Sequence, residues 1–205
     1  MAYQGNKKVG RYHHGNLRKA LIAKAVDLLE QEGVSALSLR RIARDTGVSQ
    51  AAPYSHFQSK KELLTAVCIE GTEWFGAYMS KAAAGRQGID RIAGLANGYI
   101  HFALDHPALF HLMCTRTAAE SADASGKVPE VFSEGYQMLE DALAAAPLLH
   151  LDEEQRQLDI PLAWGQVHGL THLLLEGRIA PQTFGYEDLD QFITAVVDRF
   201  LQNKI

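Results

Sequence analysis

The chain has 205 residues, 47% of them apolar, which is enough to bury a real core in one large or two small domains. No run of 18 apolar residues offers a membrane span, and the first twenty residues lack the apolar stretch of a secretory signal, so a soluble cytoplasmic protein is expected. The formal net charge of −4 hides a split: residues 1–65 carry eleven Lys and Arg against five Asp and Glu, net +6, leaving nine against nineteen, net −10, in residues 66–205. Such asymmetry suggests a nucleic-acid-binding segment joined to a part with another task. Only two cysteines occur, Cys68 and Cys114, without C-x-x-C spacing. They indicate neither a disulfide framework nor a cysteine zinc site and read as small buried residues.

From Asn16, a candidate cap, Leu17, Leu21, Ala25, Leu28 and Leu29 recur at helical spacing up to Gly33. Ser38 caps a second helix of about two turns, with Leu39, Ile42 and Ala43 inward and Arg40, Arg41 and Arg44 mostly outward, ended by Thr46-Gly47. A third helix starts at Ser49 or Gln50 and accepts Pro53 because it is nearly all first turn, where backbone N–H groups lack partners anyway. Ser59, with Glu62 three residues on, forms a capping box for a long fourth helix running through Trp74 and Tyr78 towards Gly85. A fifth helix, Ile89 to Ala103, ends at Pro107, which opens a short sixth in "PALFHLMC". The small polar stretch 117–127 reads as a mobile loop. A seventh helix follows Pro129 through Val131, Phe132 and Met138, and "APLLHL" links it to an eighth, Asp152 to about Glu176, bent at Pro161. A ninth carries Leu189, Phe192, Ile193, Val196, Val197 and Phe200. No strand periodicity and no internal repeat appears, so the class is all-α with about nine helices.

Two short helices joined by "TGVS" behind a longer one make a helix-turn-helix, whose second helix enters the major groove. Around it, "LSLRRIARDTGVSQAAPYSHFQSKKELL", with Ile42-Ala43, Gly47-Val48-Ser49, Tyr54, His56-Phe57 and Lys60 through Leu64, resembles the DNA-binding domain of TetR/AcrR-family transcriptional regulators over residues 17–64. "AWGQVHGLTHLLLEG", with Trp164, His168 and Gly169, resembles the Trp-His-Gly motif of that family's WHG-type ligand-binding domain. The resemblance implies a helix-turn-helix DNA-binding domain over 1–65 and a ligand-binding and dimerisation domain over 66–205. It also implies a homodimer on double-stranded operator DNA, most often a repressor that a small-molecule effector releases. At its positions Arg40, Ser49, Gln50, Ala51, Ala52, Tyr54, His56 and Lys60 form the DNA-contact set. Gln50 can pair with adenine, the methyl groups of Ala51 and Ala52 can touch thymine methyls, and Tyr54 and Lys60 match phosphate-holding positions. Ala52 departs from the glycine, serine or threonine common there, leaving more specificity to Gln50, Arg40 and DNA shape. Phe57 reads as core, and "NKKVGR" before the first helix reads as a basic arm or an electrostatic tail.

For the C-terminal part, Trp74, Tyr78, Tyr99, Phe102, Phe110, Met113, Met138, Trp164 and His168 are the candidate cavity lining, although such a stripe also reads as ordinary core. Leu170, Leu173, Leu174, Phe192, Val196 and Phe200 on the last two helices are expected to meet a second copy in a two-fold four-helix interface. Two alternatives stand beside the effector-released repressor. One is a DNA-binding architectural or dimerisation protein without an inducer. The other is a metal-responsive regulator using His168, His172 and Glu176, which lie at i, i+4 and i+8 on one helical face. No Walker A, G-x-S-x-G or dinucleotide fingerprint is present, so neither an enzyme nor a cofactor is expected.

Overall fold

The computed structural model describes residues 14–120, 133–145 and 153–202. Among these lie eight α-helices, three short 3-10 helices and no strand, in keeping with the all-α expectation. The helices are α1 (His14–Glu32), α2 (Leu39–Thr46), α3 (Lys60–Ala83), α4 (Gly88–Asp105), α5 (Pro107–Glu120), α6 (Ser133–Ala144), α7 (Glu153–Leu175) and α8 (Leu189–Gln202). The basic "NKKVGR" segment, most of the 117–127 stretch, Val131, Phe132 and the "APLLHL" link lie outside the described residues. By backbone proximity the chain divides into two compact units, Met1–Val67 and Cys68–Ile205.

In the first unit the sequence signals act locally. Asn16 is not a cap: α1 already begins at His14 and runs through it. Ser38 Oγ accepts the Arg41 backbone N–H at 3.2 Å, and Gly47, at φ +75°, closes α2 with its N–H on the carbonyls of Ala43 and Arg44. Ser59 Oγ accepts from the Glu62 N–H at 3.2 Å, while the Glu62 carboxylate takes the N–H of Gln58 at 2.7 Å, so the reciprocal arm of the capping box lands one residue upstream of the cap. Leu21, Leu29, Leu37, Ile42, Phe57 and Leu63 fill the core at 2% exposure or less.

The expected third α-helix is instead a 3-10 helix, Ala52–Ser55, preceded by a turn. Ala52 N–H bonds the Ser49 carbonyl at 3.0 Å, Tyr54 N–H the Ala51 carbonyl at 3.1 Å, and both His56 and Phe57 N–H the Pro53 carbonyl at 2.9 Å. Pro53, which is buried, has no N–H to give the Gln50 carbonyl, and one rung is missing between these. Its neighbours close shorter i→i+3 bonds, and neither Ser49 nor Gln50 acts as a side-chain cap.

The second unit is built round α4. Ile92 through Ile100 are buried without a break, as for a helix enclosed on all sides. Such enclosure demands small residues where another backbone comes close. A Cβ at Gly98 would lie 2.6 Å from both the Tyr78 carbonyl oxygen and the Met79 Cα of α3, and one at Gly94 would lie 2.7 Å from the Ala82 oxygen. On the other side, α8 is tied to α4 by His101 Nε2 and Asp190 Oδ1 at 2.6 Å. α7 continues unbroken through Pro161. No helix among the described residues is long and apolar enough to cross a membrane.

Gly98→Ala should therefore force α3 and α4 apart. The expected loss is roughly 1–3 kcal/mol, as for overpacking, read as a fall in melting temperature of some 2–4 °C per kcal/mol for a chain of this size.

Candidate nucleic-acid interface and effector cavity

The proposed DNA-contact residues occupy the surface of the first unit unequally. Arg40, Ser49, Gln50, Ala51, Tyr54 and Lys60 are exposed, Tyr54 by 49%, whereas Ala52 is half-buried. Tyr54 thus stands clear of the core that encloses Phe57 completely. Arg40 enters no ion pair among the described residues, leaving its guanidinium available to a phosphate or a base edge. Lys60 Nζ donates to the Val34 carbonyl at 2.8 Å, which occupies one of three donors and orients the ammonium. His56 departs from the set: its Nε2 is enclosed and its ring lies 6.4 Å from that of Phe57, so it belongs to the packing of this unit.

Arg41, expected to point mostly outward, is tied to neighbouring carboxylates of its own unit. Its guanidinium forks onto Glu32, with Nη2–Oε1 at 2.7 Å and Nη1–Oε2 at 3.2 Å, and its Nε meets Asp45 at 2.8 Å. The hydrogen bond to Asp45, then that to Glu32, holds Arg41 above its usual range, and the same bond holds the Asp45 carboxyl below its own. The group braces α2 against the end of α1. Arg44, exposed, touches the other Asp45 oxygen at 3.2 Å.

In the second unit, an apolar cavity of about 50 Å³ is bordered by α3, α4, α6, α7 and α8. Of the nine expected lining residues it includes Tyr99 and Trp164; the rest of its wall comes from residues such as Phe75, Met79, Ile100, Leu170, Val196 and Phe200. The other seven lie elsewhere for identifiable reasons. Phe102, Phe110 and Met113 have no exposed surface and fill the core outright. Tyr78 OH donates to Asp105 at 2.8 Å, the Trp74 indole N–H donates to Glu70 at 3.2 Å with its ring 5.2 Å from that of His106, and Met138 sits by Ser80. His168, half-buried, stands behind the cavity: its Nδ1 shares a 2.7 Å hydrogen bond with Tyr99 OH, and its ring is 4.6 Å from that of His172. Burial first, and His172 second, lower the His168 pKa, while burial raises that of Tyr99 and pushes the Cys114 thiol up to about 12. Cys114 is thus a protonated, inert thiol at neutral pH.

The metal alternative finds no support in this geometry. Glu176 is turned to Arg178 at 2.5 Å, His168 to Tyr99, and no three metal-ligating groups converge among the described residues. Of the expected dimer-facing set, Leu170, Val196 and Phe200 are half-buried and also border the cavity, and Phe192 is buried against the rings of Phe184 and Tyr186, at 5.5 and 5.6 Å. What remains open on α7 is a stripe of Leu158, Leu162 and Leu173, exposed by 61%, 52% and 41%, with Gly165 and Gly169 between them, where an added Cβ would meet nothing within 4 Å.

Two family descriptions match the chain: bacterial regulatory proteins of the tetR family over residues 21–67, and the tetracyclin repressor-like C-terminal domain over residues 92–200. An uncharacterised HTH-type transcriptional regulator of Mycobacterium tuberculosis is 24% identical over 160 residues, covering 78% of this chain and 71% of that protein. Among solved structures, a protein of unknown function from Rhodococcus sp. RHA1 is similar with a TM-score of 0.71 and 32% identity, over 94% of this chain and 97% of that one. A TetR transcriptional regulator from Streptomyces coelicolor shares the fold at a TM-score of 0.65 and 17% identity, over 91% and 98%.

Because the His168 pKa is lower folded than unfolded, the unfolded chain takes up the proton first as pH falls below about 6.5, and the stability held above that value declines through the lowered folded pKa. Melting temperature should drop between about pH 7.5 and 5.5. In His168→Gln, which keeps a partner for Tyr99 but cannot titrate, the drop should be smaller.

Proposed function

The chain belongs to the TetR family of bacterial regulatory proteins, and from that membership we propose that it is a repressor which leaves operator DNA when a small apolar molecule enters its C-terminal unit. That it is a DNA-binding transcriptional regulator follows from the family; repression and release are the further steps. The observation that carries the DNA reading is the exposed group of Arg40, Gln50, Ala51, Tyr54 and Lys60, beside a helix-turn-helix whose N-terminal segment is net +6. In the major groove Gln50 supplies the base-reading amide, while Tyr54, Lys60 and Arg40 supply phosphate contacts that fix register.

Release needs an element common to both events. The α3 helix is unbroken from Lys60 to Ala83, and it carries the capping box and Lys60 at one end and the cavity-bordering Phe75 and Met79 further along. A ligand displacing those two side chains acts on the same helix that presents Lys60. A coupling of ~1–3 kcal/mol suffices for a 5–150-fold change in operator affinity, and by linkage the operator weakens the ligand equally.

The homodimer is assigned to the outer stripe of α7. Three exposed leucines at helical spacing, with two glycines permitting close approach, offer a face that a second α7 can cover about a two-fold axis. Two recognition segments about one DNA turn apart (roughly 34–36 Å) then meet a palindromic site.

In selection from random duplexes followed by anisotropy titration, a dimer touching ~6–8 phosphates should lose affinity steeply with salt. Gln50→Ala should relax sequence preference by about 1–3 kcal/mol at one position, and Lys60→Ala should weaken all sequences alike, lowering the salt slope by about one for each protomer. Absence of preference over random duplex would overturn the reading. Replacing Leu162 and Leu173 together by Glu should convert the sedimenting species from dimer to monomer at micromolar concentration; an unchanged dimer would move the interface elsewhere.

A further inference from the structure

We propose that the C-terminal unit carries a second binding site, separate from the apolar cavity, in which a small amino acid lodges between α4 and α8 with its ammonium group inward on Asn97 and its carboxylate outward on Arg86. The site is a cleft of about 410 Å³ bordered by Arg86, Asn97, Asp190, Gln191, Thr194 and Asp198, with Ala195 its one apolar residue. Helix α8 turns Ile193, Val196 and Val197 to the cavity and Asp190, Thr194 and Asp198 to the cleft. The two spaces thus lie on different faces of α8, and among the described residues none from α7, with its leucine stripe, borders the cleft.

Asn97 carries the argument. It is 6% exposed and is the lone amide in the buried stretch from Ile92 to Ile100. Its Nδ2 donates to the Ala93 carbonyl at 3.2 Å, which fixes the orientation of the amide and makes the other terminal atom the acceptor. That atom, Oδ1, is enclosed and has no hydrogen-bond partner. A buried acceptor without a donor costs stability that a leucine of the same branched outline would not. A donor brought in from outside completes it, and the cleft is the space this side chain borders.

The charges decide what kind of donor. Asp190 Oδ1 is taken by His101 Nε2 at 2.6 Å. Neither Arg86 nor Asp198 enters an ion pair among the described residues, although both border the same cleft. A cation and a carboxylate left open on one space match a molecule that carries both signs. Depth orders them: Asn97 is buried, Thr194 and Asp198 are half-buried, and Arg86 is exposed. The Arg86 stem passes over Gly94, where a Cβ would meet its Cδ at 3.0 Å, and Gly94 precedes Asn97 by three residues, about 4.5 Å along α4. An ammonium group at the inner end has Asn97 Oδ1, the Thr194 hydroxyl and the Asp198 carboxylate as acceptors, while the guanidinium takes the carboxylate at the mouth. Entry to Oδ1 requires a rotamer change in the cleft wall, which Thr194, whose side chain makes no hydrogen bond among the described residues, is free to undergo.

The test titrates the full-length protein by calorimetry with glycine, β-alanine and 4-aminobutyrate. Acetate, methylammonium and glycine betaine serve as controls that supply one charge each, or both charges without an N–H. At least one amino acid should bind saturably and at least about tenfold more tightly than every control, the scale of a lost hydrogen bond to a charged group. Asn97→Leu should weaken that binding by a similar factor while melting no lower than the parent protein, and Asp198→Asn and Arg86→Gln, neither of them in the core, should each weaken it about tenfold. No saturable binding by any amino acid, equal affinity for betaine or for either single charge, or undiminished binding by Asn97→Leu or by Asp198→Asn would overturn the inference. None of these titrations involves operator DNA or the apolar cavity, so their outcome is separate from that of the effector reading.

Discussion

Two helix backbones can touch only where no Cβ intervenes, and the C-terminal unit depends on that condition being met at Gly98 and Gly94. There α4 lies directly on the backbone of α3. Further glycines seat the remaining neighbours: Gly71 of α3 receives Met113 and Leu109 from α5, and Gly135 of α6 receives the ring of Phe75. With α3 gripped from several sides, Phe75 is held edge-on to Tyr99 and Phe102, with ring centroids 5.2 and 5.4 Å away. The cavity floor is thus set by backbone contact, which yields little, while its opposite wall is set by side chains, which can change rotamer.

Sequence made the local punctuation legible because caps and turns depend on chemistry within three or four residues. Ser38, Gly47 and Ser59 act where their types and spacing put them, and Glu62 misses by a single residue, taking the Gln58 N–H. Pro53 marks the limit of such reasoning. Its tolerance at a helix start was readable, but the shift to 3-10 bonding depends on burial of the ring and on which neighbours can still close a rung.

The interior was less legible, and periodicity explains why: it says which side chains point inward and not which of them border a void. Tyr99 and Trp164 border the cavity, but Phe102, Phe110 and Met113, equally inward on the same kind of pattern, are packed solid. Leu170, Val196 and Phe200, expected at a subunit face, also border this cavity, and apolar character alone does not name a partner. The Tyr99–His168 bond spans 69 positions and leaves no periodic trace. Formal charge misleads similarly: Arg41 counts towards the +6 of the first segment, yet Glu32 and Asp45 hold it against its own fold.

The contrast between floor and wall also divides the unit's freedom to diverge. At Gly98 every alternative residue carries a Cβ that meets a backbone atom at 2.6 Å, so drift there is closed. Along Leu170, Val196 and Val197, exchanges among aliphatic side chains of similar volume typically cost under about 1.5 kcal/mol and reshape the space beside them. A lineage carrying this frame can therefore reshape the cavity in single methyl-sized steps while the helical scaffold stays in place.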